Sequence, residues 1–155
     1  LLLAWLNVIV SERLYDVASP DLPVVLVNPG VGLETRKVFE RFDQLGANRT
    51  FREMNPPAAH GLVDFTEELS SYHNDLQGPA IALCPEIERA LQAIRAEKGC
   101  LLARMSGSGP TCFGIFDSDA AAAAAAHNIA GRKRKYWVRA TTLRGAPHQP
   151  PTLVA

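Results

Sequence analysis

A glycine-rich loop separates two apolar segments in the second half of the chain. It reads Ser106-Gly-Ser-Gly-Pro-Thr111, with Gly107 and Gly109 on either side of Ser108. Glycine allows positive φ and leaves backbone N–H groups uncovered, so such a turn can hold an anion such as phosphate. The loop matches neither the Walker A motif nor the dinucleotide-binding fingerprint, because no Lys-Ser/Thr pair and no predicted helix follows the glycines. Two interpretations stay open: a phosphate site, or a structural turn between two strands.

Thr35 and Phe39 have a spacing suited to ligand recognition. They follow the segment Asn28–Gly32, which contains a proline and two glycines. If a helix begins with Thr35 as its N-cap, Phe39 lies one turn further along the same face. The hydroxyl and the ring would then point together towards a small aromatic ligand. The alternative, which the pattern alone favours, is a helix cap followed by a core phenylalanine.

Other polar groups point less clearly to chemistry. The basic run Arg132–Lys135 fits either a nucleic-acid patch or a solvated helix end that complements the macrodipole, and we favour the helix end. The four histidines are scattered without metal-binding spacing, so no metal ligands are predicted. Asp75 is the acid best placed to cap or fix a loop. No partner for it is evident, so no catalytic residue is predicted in this chain.

The composition narrows the classes of function. Lys plus Arg and Asp plus Glu both number 16, and the zero net charge argues against a nucleic-acid binder. No apolar run approaches the roughly 20 residues that span a bilayer. The 47% hydrophobic content predicts a buried core. The three cysteines have no CxxC spacing, which argues against a disulfide framework or zinc site and favours a reducing compartment, the cytoplasm.

The elements that would position these residues form an α+β pattern. We predict four strands, at 24–28, 101–105, 111–116 and 136–143. We also predict helices from Thr35 to Gly46, at 62–72 and at 79–98, the last with a kink or restart at Pro85. A further helix follows a cap at Asp117 or Ser118 and includes Ala120–Ala126. This order is the ferredoxin-like split βαβ with extra helices in its first crossover. It predicts an antiparallel sheet with helices packed on one face.

Several segments together resemble a known family. Ala103–Phe116 is similar to the third conserved motif of the GHMP kinases, which include galacto-, homoserine, mevalonate and phosphomevalonate kinases. Val24–Phe39 and Asn74-Asp-Leu76 resemble the branch that acts on 4-diphosphocytidyl-2-C-methyl-D-erythritol in non-mevalonate isoprenoid biosynthesis. Trp137–Leu143 fits the closing strand of that branch, and the resemblance covers about residues 12 to 144.

The resemblance implies an activity and two ligands. It implies ATP-dependent phosphorylation of a hydroxyl of this cytidine diphosphate derivative, with Mg²⁺ accompanying the nucleotide. Gly107, Ser108 and Gly109 would lie beside the phosphates in a cleft between two domains. Thr35 and Phe39 match substrate-site positions, where the ring packs near the cytosine. Phosphoryl transfer depends mainly on positioning and charge stabilisation, which a glycine loop can supply.

The sequence also departs from the family. The PxxxGLGSSAA-type nucleotide motif, the catalytic Asp and the Lys of the family's N-terminal domain have no match in these 155 residues. Gln77 stands where the family often has Glu. We therefore expect the C-terminal domain of a two-domain kinase, a fragment whose missing N-terminal kinase domain is its partner and which has no kinase activity alone.

The predicted domain division follows from the same family resemblance. Residues 1–23 are expected to be the remnant of a junction, with a linker or turn at Ser19–Pro23; residues 24–144 form the GHMP kinase C-terminal domain, and 145–155 a loose tail. The apolar stretch Leu1–Val10 is read as a buried strand or the edge of a larger domain. A signal peptide is disfavoured because no basic segment precedes it and no small-x-small cleavage site follows.

Two alternatives remain. One is another GHMP small-molecule kinase, such as one acting on mevalonate or homoserine, against which the segment Asn28–Phe39 argues. The other is a non-catalytic ferredoxin-like binding or oligomerisation module, which the missing catalytic residues favour.

Overall fold

The computed structural model describes residues 19–45 and 61–145, which form a four-stranded sheet and five helices. The strands are β1 (Leu22–Asn28), β2 (Cys100–Met105), β3 (Cys112–Phe116) and β4 (Trp137–Leu143). The helices are α1 (Thr35–Gln44), α2 (Leu62–Ser70), α3 (Gln77–Leu83), α4 (Glu86–Arg95) and α5 (Asp119–Arg132). The sheet order is β2-β3-β1-β4 with every neighbouring pair antiparallel. The predicted split βαβ, α+β architecture is confirmed.

The core lies on both faces of the sheet, which corrects the expectation of helices on one face only. Along β1, Val25 and Val27 join the cluster formed with α4 and α5. Val24, which points to the opposite face, packs in a second cluster with Phe65 and Leu69 of α2. A strand with apolar side chains on both faces needs cover on both sides, and α2 supplies it on the second side.

The strand β1 begins earlier than predicted. Leu22 and Pro23, expected to belong to a turn, are its first two residues. Pro23 lies opposite Thr142 of β4, while the register of β1 with β3 starts only at Val24. Proline cannot donate to a ladder, so its place at the end of a central strand, beyond one of the two partners, fits its chemistry.

Local signals for helix boundaries are largely confirmed. Pro85 restarts the helix, since α3 ends at Leu83 and Pro85 is the N-cap of α4. Ser118 caps α5 by accepting a hydrogen bond from the Ala121 N–H at 3.2 Å. The end of α4 was predicted too late, at residue 98, because a turn with Gly99 at φ +84° follows Arg95.

The small side chains of α5 bring this helix close to the sheet, as the alanine run predicts. Ala122 and Ala125 are fully buried together with Ile129. On β3, a Cβ on Gly114 would lie 2.3 Å from Cγ2 of Ile94 in α4. Both helices therefore pack against the same side of the sheet at distances that depend on small residues.

The three cysteines are free thiols within this fold. Burial raises the pKa of Cys112 to about 12, so this thiol is protonated at neutral pH. None of the helices described here is long and apolar enough to cross a bilayer. The predictions for Leu1–Val10, for Gly46 and most of the loop Arg49–Gly61, and for the tail beyond residue 145 fall outside the described residues.

Candidate functional site

The glycine loop forms a closed turn between β2 and β3. The Ser106 N–H donates to the Thr111 carbonyl at 2.8 Å, and the Gly109 N–H donates to the Ser106 carbonyl at 3.0 Å. Gly107 and Gly109 have φ values of +55° and +81°, in the region that favours glycine. These two backbone hydrogen bonds close the turn, and neither of them uses the peptide between Gly107 and Ser108.

The two glycines contribute differently to this loop. A Cβ on Gly109 would lie 2.7 Å from Sδ of Met105 and 3.4 Å from Cδ1 of Ile87, so packing requires a glycine there. Within residues 19–45 and 61–145, no hydrogen bond uses the N–H of Gly107 or Ser108. These two N–H groups are therefore available to a ligand, while the Gly109 N–H is used within the turn.

Thr35 and Ser108, predicted from separate motifs, are in direct contact. Their hydroxyl oxygens lie 2.9 Å apart although 73 positions separate them in the sequence. Thr35 is the first residue of α1, whereas Glu34 is the N-cap and makes no side-chain capping bond. The prediction that Thr35 caps the helix is wrong by one position, because its hydroxyl bonds to Ser108 instead.

Phe39 lies on the surface of α1. Its side chain is 49% exposed, and the neighbouring Val38 takes the buried position. The core-phenylalanine alternative is therefore wrong. An exposed ring one helical turn from Thr35 is the arrangement expected of a residue that packs against a ligand.

Asn28 connects the end of β1 to the glycine loop. Its Nδ2 donates to Oγ1 of Thr111 at 2.9 Å, and its Oδ1 accepts from the Gly30 N–H at 2.8 Å. One side chain thus fixes both the turn before α1 and the end of the glycine loop. The sequence pattern marks Asn28 as part of a motif and predicts no contact for its side chain.

Asn74 holds the glycine loop from the other side. Its Nδ2 donates to the carbonyls of Met105 at 3.0 Å and Gly107 at 2.8 Å, while its Oδ1 accepts from the Leu76 N–H at 3.1 Å. Oε1 of Gln77 accepts from the Met105 N–H at 3.0 Å. The loop-fixing role considered for Asp75 belongs to these two amides, and the Asn-Asp-Leu motif was the signal that marked the position.

The basic run lies at the end of α5. Arg132 is in the last turn of the helix and pairs with Glu97, a carboxylate only 8% exposed that also accepts from Nδ2 of Asn128 at 2.9 Å. Lys133 lies over the Tyr136 ring at 5.7 Å. For Arg132 the helix-end interpretation is confirmed, since its charge serves a structural ion pair.

Two buried or half-buried groups near the sheet have shifted pKa values. Desolvation lowers the pKa of Arg104, whose guanidinium donates to the Leu69 carbonyl at 3.0 Å, near the end of α2. A hydrogen bond from the Tyr136 hydroxyl at 2.6 Å, helped by Arg89, lowers the pKa of Glu86. The first hydrogen bond ties α2 to β2, and the second ties α4 to the residue that precedes β4.

The donor set at the loop suits a phosphate group. Two backbone N–H groups and a hydroxyl pair can bond phosphate oxygens. Magnesium prefers carboxylates and water, and the described part of the chain contains no group of three His, Cys, Asp or Glu side chains that could hold a metal ion. The described residues therefore fit a phosphate but offer no three-ligand protein site for a metal ion, whereas magnesium bound to ATP needs only one or two carboxylates beside the phosphates.

Comparison with known proteins agrees with the architecture and the motifs. The family model for the C-terminal domain of the GHMP kinases matches residues 58–133. Over 142 residues the chain is 42% identical to the 4-diphosphocytidyl-2-C-methyl-D-erythritol kinase of Dinoroseobacter shibae, covering 87% of this chain and 47% of that protein. The chain belongs to the GHMP kinase family.

Other relatives of this GHMP kinase chain are consistent with that placement. It is 46% identical over 137 residues to the 4-diphosphocytidyl-2-C-methyl-D-erythritol kinase of Paracoccus denitrificans, with 84% of this chain and 47% of that protein covered. A crystal structure of 4-(cytidine 5'-diphospho)-2C-methyl-D-erythritol kinase superposes with a TM-score of 0.63 at 30% identity, over 87% of this chain and 47% of that one. The chain spans about half the length of the relatives it matches.

Proposed function

We propose that this chain supplies the C-terminal part of a kinase that transfers the γ-phosphoryl group of ATP to a hydroxyl of 4-diphosphocytidyl-2-C-methyl-D-erythritol. The names of the relatives support the reaction. The observation that carries the proposal is the 2.9 Å contact between the hydroxyls of Thr35 and Ser108. It brings the proposed substrate helix and the proposed phosphate loop together at one end of the sheet.

In this proposal each group has a defined task. The N–H groups of Gly107 and Ser108 bond phosphate oxygens of ATP, and the Ser108 hydroxyl adds a further donor. The exposed Phe39 ring packs against the cytosine, and Thr35 lies between the substrate and the loop. Any magnesium that accompanies ATP takes ligands from the phosphates of the nucleotide.

In the proposed enzyme, two domains contribute different parts of the active site. The C-terminal domain runs from Leu22, where β1 begins, to residue 144, with the junction before it and a tail at 145–155, and the N-terminal domain supplies the base and the nucleotide motif. The relatives are about twice as long as the matched region, which leaves room for such a domain. The three free cysteines suit a reducing compartment, so we place the enzyme in the cytoplasm.

A chimaeric enzyme tests the proposal. The chain replaces the matching C-terminal half of the Paracoccus denitrificans relative, and the purified chimaera is assayed for ATP-dependent phosphorylation of 4-diphosphocytidyl-2-C-methyl-D-erythritol, with mevalonate and homoserine as competing substrates. We expect phosphorylation of the cytidyl substrate alone. The isolated chain is expected to show no kinase activity.

Two results would reject the proposal. Phosphorylation of mevalonate or homoserine would assign the chain to another GHMP activity. A folded chimaera, identified by a cooperative thermal transition, that phosphorylates none of the three substrates would favour a non-catalytic module. The parent enzyme, carried through the same assay, shows that the conditions support turnover.

A further inference from the structure

We infer that Asn74 is a positioning residue that keeps the peptide between Gly107 and Ser108 turned with its N–H towards the ligand. The nature of the ligand, the phosphates of ATP, rests on the proposed function. The orientation of the peptide is inferred from the hydrogen bonds of the Asn74 side chain and does not depend on the proposed function.

The geometry of a trans peptide determines where the Ser108 N–H points. Its C=O and N–H groups point in opposite directions. Nδ2 of Asn74 donates to the Gly107 carbonyl at 2.8 Å. The Ser108 N–H belongs to the same peptide unit, so it points away from Asn74, and no described residue accepts its hydrogen bond.

The sequence of the loop makes such a restraint necessary. Gly107 has no Cβ and lies at φ +55°, so steric contacts do little to prevent its peptide from rotating. A rotated peptide would present a carbonyl oxygen to the phosphate in place of an N–H donor. Like partial charges would then face each other where an attraction is needed.

Asn74 is itself held in one orientation. Its two N–H donors serve the carbonyls of Met105 and Gly107, and its oxygen accepts from Leu76. Rotating the amide by half a turn would place its oxygen against two carbonyl oxygens, so the three partners fix which end is the donor. Gln77 adds a bond to the Met105 N–H, which anchors the start of α3 to the end of β2.

The test uses the whole 155-residue chain and separates loop order from ligand binding. Amide hydrogen exchange is measured for Ser106 and Gly109, and binding of tripolyphosphate and of ATP is measured by calorimetry. Asn74→Asp keeps the oxygen that accepts from Leu76 and removes both donors, while Asn74→Ala removes the side-chain amide without adding charge. Gln77→Glu adds the same charge nearby and keeps the oxygen that accepts from Met105.

We expect both Asn74 variants to weaken tripolyphosphate and ATP binding by about tenfold or more, the loss that one or two missing hydrogen bonds produce. Loop amides should exchange at least about tenfold faster, while amides in α4 and α5 keep their rates. Gln77→Glu should lose less affinity than Asn74→Asp and leave loop exchange nearly unchanged.

Each contrary result has a distinct meaning. Loop amides that exchange at the wild-type rate in Asn74→Asp would overturn this inference. Equal losses of affinity in Asn74→Asp and Gln77→Glu, with full affinity in Asn74→Ala, would overturn it too, since charge alone would explain them. A wild-type chain that binds neither tripolyphosphate nor ATP would instead count against the phosphate role in the proposed function.

Discussion

Thr35 and Ser108 were selected from the sequence for different reasons, one for a substrate helix and one for a phosphate loop. Their hydroxyls meet at 2.9 Å. Either oxygen can be the donor, so a ligand that accepts from one hydroxyl can orient the other. The substrate and phosphate halves of the proposed site are therefore joined by this hydrogen bond, in addition to the bonds of Asn28.

Phe39 gives the sharpest test of substrate binding at the residue scale. In the chimaeric kinase, Phe39→Ala should raise KM for the cytidyl substrate by about tenfold and change kcat less, because base–aromatic stacking contributes about 1–3 kcal/mol. Phe39→Tyr keeps the ring and should retain KM. The ring is 49% exposed, so thermal stability should hardly change. Steady-state kinetics at saturating ATP measure both constants, and an unaltered KM in Phe39→Ala would remove the stacking role.

The two loop glycines should differ in their effect on stability. Gly109→Ala combines a φ of +81° with a Cβ 2.7 Å from Met105 Sδ, so it should lower the free energy of unfolding by about 1–3 kcal/mol. Gly107→Ala carries the backbone cost of its φ of +55°, about 1–2 kcal/mol. Urea unfolding of the 155-residue chain measures both variants. A Gly109→Ala variant as stable as the wild type would contradict the packing argument.

Gly107→Val and Gly109→Val should both impair the chimaeric kinase. A branched side chain at either position strains the turn and crowds the N–H groups that we assign to phosphate. The values of kcat and KM for ATP measure the effect in folded protein. Wild-type values in both variants would remove the phosphate role of the loop.

At the scale of elements, the contribution of the α5 N-cap to stability can be tested with single substitutions. Ser118 accepts from the Ala121 N–H, and this helix carries the buried alanine face. Ser118→Ala should destabilise the chain by about 1 kcal/mol, while Ser118→Asn keeps a capping oxygen and should retain most of the stability. Thermal denaturation measures both. Equal melting temperatures for Ser118→Ala and the wild type would show that the cap contributes nothing.

The sequence predicts elements better than it predicts their placement. The apolar run at β1, the restart at Pro85 and the cap at Ser118 are local signals, and the structure confirms each one. The sequence does not predict that α2 packs on the side of the sheet opposite to α4 and α5. Periodicity shows that a helix has an apolar side, but it does not show which face of the sheet that side covers. Asn74 was missed as the loop support because its partners lie 31 and 33 positions away.

At the scale of the whole molecule, the Cys112 thiol predicts how stability depends on pH. Burial raises its pKa from 9.0 to about 12. The unfolded chain therefore loses this proton first, so the contribution to stability is complete below about pH 9 and is lost as the pH rises towards 12. Between about pH 9 and 12, this thiol lowers the free energy of unfolding by at most about 1.4 kcal/mol per pH unit.

The comparison that isolates this effect is with Cys112→Ala. Urea unfolding at several pH values between neutrality and about 10.5 should show a steeper loss of stability in the wild type than in the variant. The lysines and tyrosines, which also titrate there, are common to both proteins. Parallel pH profiles would mean that Cys112 does not titrate differently in the folded and unfolded states.

The sheet order also has a consequence for biosynthesis. The strand β1 lies between β3 and β4, yet it precedes both in the chain, and its pairings reach residues 112–115 and 137–143. During translation this apolar strand must leave the ribosome long before either neighbour exists. Its folding therefore waits for almost the whole domain to be synthesised, and in that interval its apolar side chains lack the strands that cover them.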